Sequence, residues 1–353
     1  MSGTIQSRKS DHLNLCASGD VAFRERTTLL EHVQLIHQGL PEIAWDEVDP
    51  SVELLGKTLR APLYISAMTG GTGEAEQINR ELALVAEKLG IAMGLGSQRA
   101  ILRHRETLST YQVRDVAPNA LLFGNIGLAQ ARELPTEPLA ELVELVGADA
   151  LCVHTNPAME VVQPGGDLDF RHGEETLARL VEELPVPVIL KEVGSGLSSG
   201  VAAIAHRAGV RHLDVAGAGG TSWVAVETLR AKGESRALGE AFWDWGIPTA
   251  ASLLQVRGRG MTVFASGGIR TGMDVARSLA LGASVAGIAT PVLKAQRSGG
   301  ADGAQRYLEG CIRALCTAMF LSGCRRPSEL GAAPRVLTGE LAAWDDAAGE
   351  LNR

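Results

Sequence analysis

Eight short apolar segments recur along the chain, spaced so that a helix fits between successive ones: 61–68 (APLYISAM), 91–97 (IAMGLGS), 121–127 (LLFGNIG), 149–156 (DALCVHTN), 187–193 (PVILKEV), 212–218 (HLDVAGA), 262–268 (TVFASGG) and 284–290 (SVAGIAT). None alternates apolar with polar residues. Such runs read as parallel strands buried on both faces. Amphipathic stretches lie between them at 74–90, 136–147, 173–184, 199–209 and 272–282, the first closed by Gly90 as a helix stop. Strand-then-helix repetition specifies a parallel sheet. Eight units within 353 residues favour a closed α/β barrel, the (β/α)8 TIM barrel, over an open doubly wound sheet. No linker or internal repeat is visible. A single domain over 1–353 is expected, with an N-terminal extension at 1–60, a barrel core at 61–298 and a helical tail at 299–353. The connection 219–261 is long and holds Trp223, Trp243 and Trp245, three of the five tryptophans. A lid over the strand ends is the expected use of such an insertion.

A net charge of −8 argues against bulk electrostatic binding of nucleic acid, while leaving room for a local basic pocket around a phosphorylated metabolite. No apolar run approaches the ~18 residues of a membrane span, and the polar N-terminus lacks the apolar core of a secretory signal. The five cysteines have no metal-ligand spacing. They read as reduced thiols of a cytoplasmic protein.

In a barrel of this type the site lies where the strands end. Here the endings are Met68-Thr69-Gly70-Gly71, Gly96-Ser97-Gln98-Arg99, Gly124-Asn125, His154-Thr155-Asn156, Lys191-Glu192, Gly217 to Thr221, Ser266-Gly267-Gly268 and Ala289-Thr290. Nearly all are small or polar, as a ring lining one pocket would be. The turns SGGIRTGMD and GIATP after the last two strands suit a phosphate cradle made of backbone N–H groups and helix N-termini. A lysine at the barrel mouth, Lys191, requires an anionic partner: a ligand phosphate, an anionic cofactor ring, or Glu192. After the fourth strand, His154, Asn156, Glu160 and Gln163 fall within ten residues. Histidine and asparagine can donate to phosphate, and a glutamate can hold Mg²⁺ beside a diphosphate. Near the start, Arg8, Lys9 and His12 cluster in RKSDH; they matter to the site only if this segment folds over the pocket.

The stretches MTGGTGEAEQINRELALVAEKLGIAMGLGSQRA, HxN…E…QPxGD, KEVGSGLS, GAGGTSW, WGIPTA and SGGIRTGMDVARSLALGA together resemble the type 2, FMN-dependent isopentenyl-diphosphate delta-isomerases. The resemblance runs in order from Arg8 to about Trp344. It implies bound FMN in its reduced form, NADPH as reductant, Mg²⁺, and a homotetramer or homo-octamer. It also implies interconversion of isopentenyl and dimethylallyl diphosphate by flavin-mediated proton transfer without net redox change. By resemblance, FMN contacts Ala67, Met68, Thr69, Ser97, Asn125, Lys191, Thr221, Gly268, Arg270, Ala289 and Thr290, with Ala216 where the family has a serine. Arg8, Lys9, His12, Arg99, His154, Asn156 and Gln163 correspond to the diphosphate clamp. Glu160 corresponds to the Mg²⁺ ligand, and Met159, His154 and Glu160 to the catalytic positions.

Four positions depart from the family pattern. Met159 replaces a glutamine beside the reacting carbons, Ala216 a serine, Thr155 a leucine and Gly165 a glutamate. A thioether cannot relay a proton. The chain is therefore expected to be a divergent isomerase. Alternatives are a relative that cyclises or couples another prenyl diphosphate, for which Met159 offers adaptable apolar surface, and a binder without turnover. A hydroxy-acid oxidase needs a histidine base that GAGGTSW lacks. A barrel nucleotide dehydrogenase needs a cysteine in a glycine-rich loop, and none is present.

Overall fold

The computed structural model describes residues 5–18 and 21–351, with side chains for 11–17 and 21–349. Eight parallel strands form its centre: β1 (Leu63–Ile65), β2 (Ala92–Gly94), β3 (Leu122–Gly127), β4 (Ala150–His154), β5 (Val188–Lys191), β6 (His212–Asp214), β7 (Thr262–Ala265) and β8 (Val285–Ile288). Each pairs with the next in sequence, and β8 pairs with β1, closing the barrel. Closure leaves no strand edge unpaired. The ladders are shorter than the apolar segments. The last residues of most segments leave the sheet and turn over the barrel mouth, where their polar groups find the cavity described below.

Tyr64, Phe123 and Phe264 fill the barrel interior as a mutually edge-to-face triad, with ring centroids 5.7–6.0 Å apart. All three are fully buried. Leu54 and Leu59, from the antiparallel hairpin Val52–Leu54/Lys57–Leu59, join the same cluster, together with Ala92, Ala150 and Val285 at the strand starts. This hairpin thus plugs the end of the barrel opposite the strand endings. The sequence showed it only as part of an extension.

The expected helices form at Gly73–Leu89, Thr136–Val146, Gly173–Glu183, Ser199–Arg207 and Gly272–Ala280. Gly90 and Gly147 take the left-handed conformation at φ 63° and stop the first two, a role that carries little strain only for glycine. The helix Thr290–Leu321 continues through 298/299 and kinks at Gly299–Gly300, so the expected start of the tail falls on a bend within one element. The tail also contributes a strand, Arg335–Leu337, which pairs antiparallel with Val33–Leu35 of the N-terminal extension. The sequence did not reveal this clasp.

The connection 219–261 folds as three helices, Trp223–Arg230, Gly233–Ala241 and Thr249–Val256. It is fastened to the N-terminal extension. Trp243 Nε1 donates to Ala22 O at 2.9 Å, and Arg24 lies 3.6 Å over the Trp243 ring. Gly219 adopts φ +112°, and a Cβ there would sit 2.3 Å from the Thr28 nitrogen, so this crossing admits only glycine. Among the described residues, no helix is long and apolar enough to cross a membrane.

Truncation of the interior triad tests the plug. Phe264→Ala is expected to cost about 3–5 kcal/mol, the usual loss for a buried phenylalanine, read as a lower midpoint in denaturant unfolding of the apoprotein with an unchanged slope.

Candidate active site

A cavity of about 570 Å³ opens at the C-terminal ends of the strands and takes lining residues from all eight. The helix Ile5–Ser18 covers it, contributing His12, Leu13 and Cys16, followed by Val21 and Ala22. This reverses the expected division of labour. From the 219–261 connection only Gly220, Thr221 and Trp223 line the cavity; Trp243 and Trp245 do not. The N-terminal segment is the cover, and the connection is its anchor. Arg8 and Lys9 lie in that helix, but their side chains are outside the described residues.

Lys191 ends β5 at the cavity floor. Its Nζ lies 3.6 Å from Asp214 Oδ2 and donates to Glu192 O at 2.6 Å. Glu192, an expected carboxylate partner, turns away. Its Oε2 accepts from the amides of Val193 and Gly194, at 2.6 Å each, because the loop after β5 curls around it. Burial is the larger effect on this carboxyl and raises its pKa to about 7. The cavity wall also carries Ala67, Met68, Thr69, Ser97 and Asn125, with Ala216 held at φ 37°, a strained value for a non-glycine residue.

His154, at the end of β4, faces the cavity and donates from Nδ1 to Asn125 Oδ1 at 2.8 Å. Burial, then the charges of Lys191 and Arg99, lower its pKa to about 4. It is neutral at pH 7, with Nε2 left as an acceptor. A short helix, Pro157–Val162, follows and sets Met159 and Glu160 on the cavity wall. The buried Glu160 carboxylate accepts from Asn156 Nδ2 at 2.8 Å, Gln163 Nε2 at 3.2 Å and Asp167 N at 2.8 Å. Asn156 Nδ2 also lies 3.6 Å from the Met159 sulfur. Arg99 points toward Asp167 at 3.7 Å. Gly165 occupies a turn at φ +71°, where a glutamate would be strained.

The loops after β7 and β8 close the opposite side. Strand order in an eight-stranded ring puts β8 across from β4. Gly267, Gly268, Ala289 and Thr290 line the cavity here, and Thr290 Oγ1 lies 2.9 Å from Thr221 Oγ1. At the N-terminus of helix Gly272–Ala280, Asp274 takes the amides of Arg270 and Thr271 at 3.0 and 2.9 Å. Arg270 spends its guanidinium on the carbonyls of Gly268 and Gly219, at 2.8 and 3.0 Å, clipping the loops together. His12, expected in the diphosphate clamp, lines the cavity but pairs with buried Glu227 at 2.7 Å.

Sequence reasoning missed Gln130, Tyr307 and Lys294, which also line the cavity. Gln130 and Tyr307 come from helices where nothing local marks them. Lys294 was more accessible. It lies one helical turn beyond Thr290, on the face that Thr290 presents.

The closed parallel barrel with its site at the strand ends defines a class. Residues 156–336 match the FMN-dependent dehydrogenase family. Solved structures with this fold include a mandelate oxidase variant with the monooxide FMN adduct (TM-score 0.64, 20% identity, covering 92% of this chain and 95% of that one). Another is a mandelate oxidase with (S)-2-phenylpropionate (TM-score 0.63, 20% identity, covering 96% and 99%). Among curated relatives, the chain is 47% identical to the isopentenyl-diphosphate delta-isomerase of Methanothermobacter thermautotrophicus, over 96% of this chain and 95% of that protein. It is 43% identical to the enzymes of the same name from Methanosarcina mazei (96% and 94% covered) and Methanopyrus kandleri (98% and 95%). The chain belongs to the isopentenyl-diphosphate delta-isomerase family.

The neutral imidazole gives a pH test. His154 has a folded pKa of about 4 against an ordinary 6.5, so between these values the unfolded chain binds more protons than the native one. The stability tied to neutral His154 is present above pH 6.5 and lost as pH falls toward 4. Compared with His154→Gln, the parent should lose about 1–2 kcal/mol of unfolding free energy across that window; the open imidazole edge keeps the figure below that of full burial. Parallel denaturation curves at pH 7 and pH 4.5 for both proteins measure it, and equal losses would place the titration elsewhere.

Proposed function

We infer that this chain binds FMN and Mg²⁺ and interconverts isopentenyl and dimethylallyl diphosphate by proton movement without net redox change, with NADPH as the reductant of the flavin. The observation that carries this reading is the two-sided cavity. One side, around the Gly267–Gly268 turn and the Thr221–Thr290 hydroxyl pair, offers a phosphate seat. The opposite side carries Asn156, Glu160 and Gln163 around a carboxylate. Lys191 stands on the floor. Two phosphorylated ligands can thus meet within one enclosure.

The donor set fits FMN. Ala67 and Met68 would face the ring, Thr69, Ser97, Asn125 and Lys191 its polar edge, and Thr221, Gly268, Ala289 and Thr290 its phosphate. Arg270 would act as the brace of that phosphate loop. When bound, the reduced flavin supplies acid–base chemistry to the substrate carbons. The protein's part is to bind, orient and exclude water. His154, neutral and fixed by Asn125, accepts a hydrogen bond or becomes charged beside a diphosphate, whose negative charge restores its basicity. Glu160 keeps free lone pairs beyond its three donors and can ligate Mg²⁺ together with substrate oxygens. Among the described residues there is no cluster of three or more metal-binding side chains, and a cation held by one carboxylate and a diphosphate needs none. Arg99 would join the clamp, to which the family resemblance adds Arg8 and Lys9, whose side chains lie outside the described residues. Met159 gives this wall a thioether, so the chain moves no proton through position 159. A cytoplasmic homotetramer or homo-octamer is the assembly that goes with this reading.

The test is an anaerobic NMR assay in D₂O with protein, FMN, NADPH, Mg²⁺ and isopentenyl diphosphate. Deuterated dimethylallyl diphosphate, formed only with reduced flavin, is expected. Unlabelled, unchanged substrate with FMN bound and reduced would sink the isomerase. A larger prenyl product would replace it with a coupling or cyclising enzyme. In the same assay Glu160→Gln should raise the Mg²⁺ requirement by about tenfold or more, as loss of a charged ligand does. Met159→Gln should raise kcat while leaving FMN affinity unchanged.

A further inference from the structure

Lys191 is more than nine-tenths buried, 8% exposed, and its burial is made possible by a residue that does not itself line the cavity. Asp214, at the end of β6, is 2% exposed. Its Oδ2 lies 3.6 Å from Lys191 Nζ and accepts from the Tyr64 hydroxyl at 2.7 Å. Its Oδ1 accepts from the Ser266 hydroxyl at 2.6 Å. Four parts of the barrel therefore meet at one carboxylate: β1 through Tyr64, β5 through Lys191, β6 itself, and the turn after β7 through Ser266. The order from the cavity downward is ammonium, carboxylate, phenol.

We propose that Asp214 is a positioning residue that holds the Lys191 ammonium aimed into the cavity, so that its positive charge meets an anionic ligand ring, here reduced FMN. The inference rests on the flavin reading above. A buried ammonium needs a counter-charge, and Asp214 supplies it at 3.6 Å. The hydroxyls of Tyr64 and Ser266 donate to the carboxylate and fix its orientation. The other groups around Lys191 cannot replace it. Cys152, on β4, is a thiol whose pKa burial pushes up to about 12. His154 is neutral, and Arg99 is cationic. The Tyr64 phenol is pushed well above its ordinary pKa, first by burial and then by Asp214. Glu192 offers Lys191 its backbone carbonyl and gives its carboxylate to the amides of its own loop. Asp214 is the carboxylate within ion-pair distance of Lys191 among the described residues.

The experiment compares the parent with Asp214→Asn, Lys191→Met and the double variant. Each is loaded with FMN, reduced anaerobically with dithionite, and titrated with pH while the absorbance spectrum separates neutral from anionic reduced flavin. Either single substitution should move the neutral-to-anionic transition upward by about one pH unit or more, the scale expected for losing a buried charge partner. The double variant should move it no further than Lys191→Met alone. An unmoved or lowered transition in Asp214→Asn overturns the proposal, because a carboxylate acting on the ring through its own charge alone disfavours the anion, so its removal lowers the transition. So does an equal shift added on top of Lys191→Met, because Asp214 would then act without Lys191. If Asp214→Asn does not fold, the pair Tyr64→Phe/Ser266→Ala removes both donors to Asp214. It should shift the transition in the same direction, and no shift again overturns the proposal. A second readout needs no flavin. In apoprotein labelled with ¹⁵N-lysine, the Lys191 side-chain signal should be distinct from those of the exposed lysines in the parent and lose that distinct position in Asp214→Asn; an unchanged signal overturns the proposal. Failure of the parent to bind FMN would defeat the flavin reading, while the lysine signal would still decide the role of Asp214.

Discussion

The requirement that parallel strands be covered on both faces governs this molecule. A strand such as Leu122–Gly127, buried along its whole length, has no solvent face to offer. Eight of them solve the problem by closing on themselves, with helices outside and the Tyr64–Phe123–Phe264 triad within. The solution has a consequence for chemistry. All eight strands run the same way, so all eight endings meet at one mouth. Side chains more than a hundred residues apart, such as Tyr64 and Asp214, come into hydrogen-bond contact.

The barrel alone leaves both mouths open, and the segments outside it deal with them differently. The hairpin Val52–Leu54/Lys57–Leu59 seals one end with leucines. The helix Ile5–Ser18 covers the other and leaves a cavity beneath it. Trp243 and Arg24 fasten that cover to the long connection, while Val33–Leu35 and Arg335–Leu337 tie the chain's two ends together. The cavity is thus enclosed by parts of the chain that lie outside the barrel's strand ladders.

Much of the barrel could be read from local pattern, because strand and helix periodicity and glycine stops are written in adjacent residues. The same holds for the ring of small and polar endings. Lys191, Asn125, His154, Asn156 and Glu160 were visible as strand-end or near-strand-end groups, and the structure brings them into one cavity. Partners across the barrel were not visible. Nothing near Lys191 in sequence announces that Asp214, rather than adjacent Glu192, would pair with it. The choice depends on how the loop after β5 curls its amides around Glu192. For a similar reason His12 faces Glu227, and Asp274 takes the amides of Arg270 and Thr271. Lys294 and Tyr307 were missed because a helix carries many such residues and only packing decides which of them face the cavity.

The sequence by itself determined the number and direction of the strands, the places where glycine must stop or cross, and the stock of chemical groups at the barrel mouth. These follow from side-chain volume, polarity and backbone freedom within a few residues. Tertiary structure alone decided which of those groups pair with each other and which remain free for a ligand. It also decided which segment covers the cavity and which charge lies beneath Lys191. Such outcomes depend on distances of 3–4 Å between residues far apart in the chain, and on the desolvation that raises or cancels a charge once they meet.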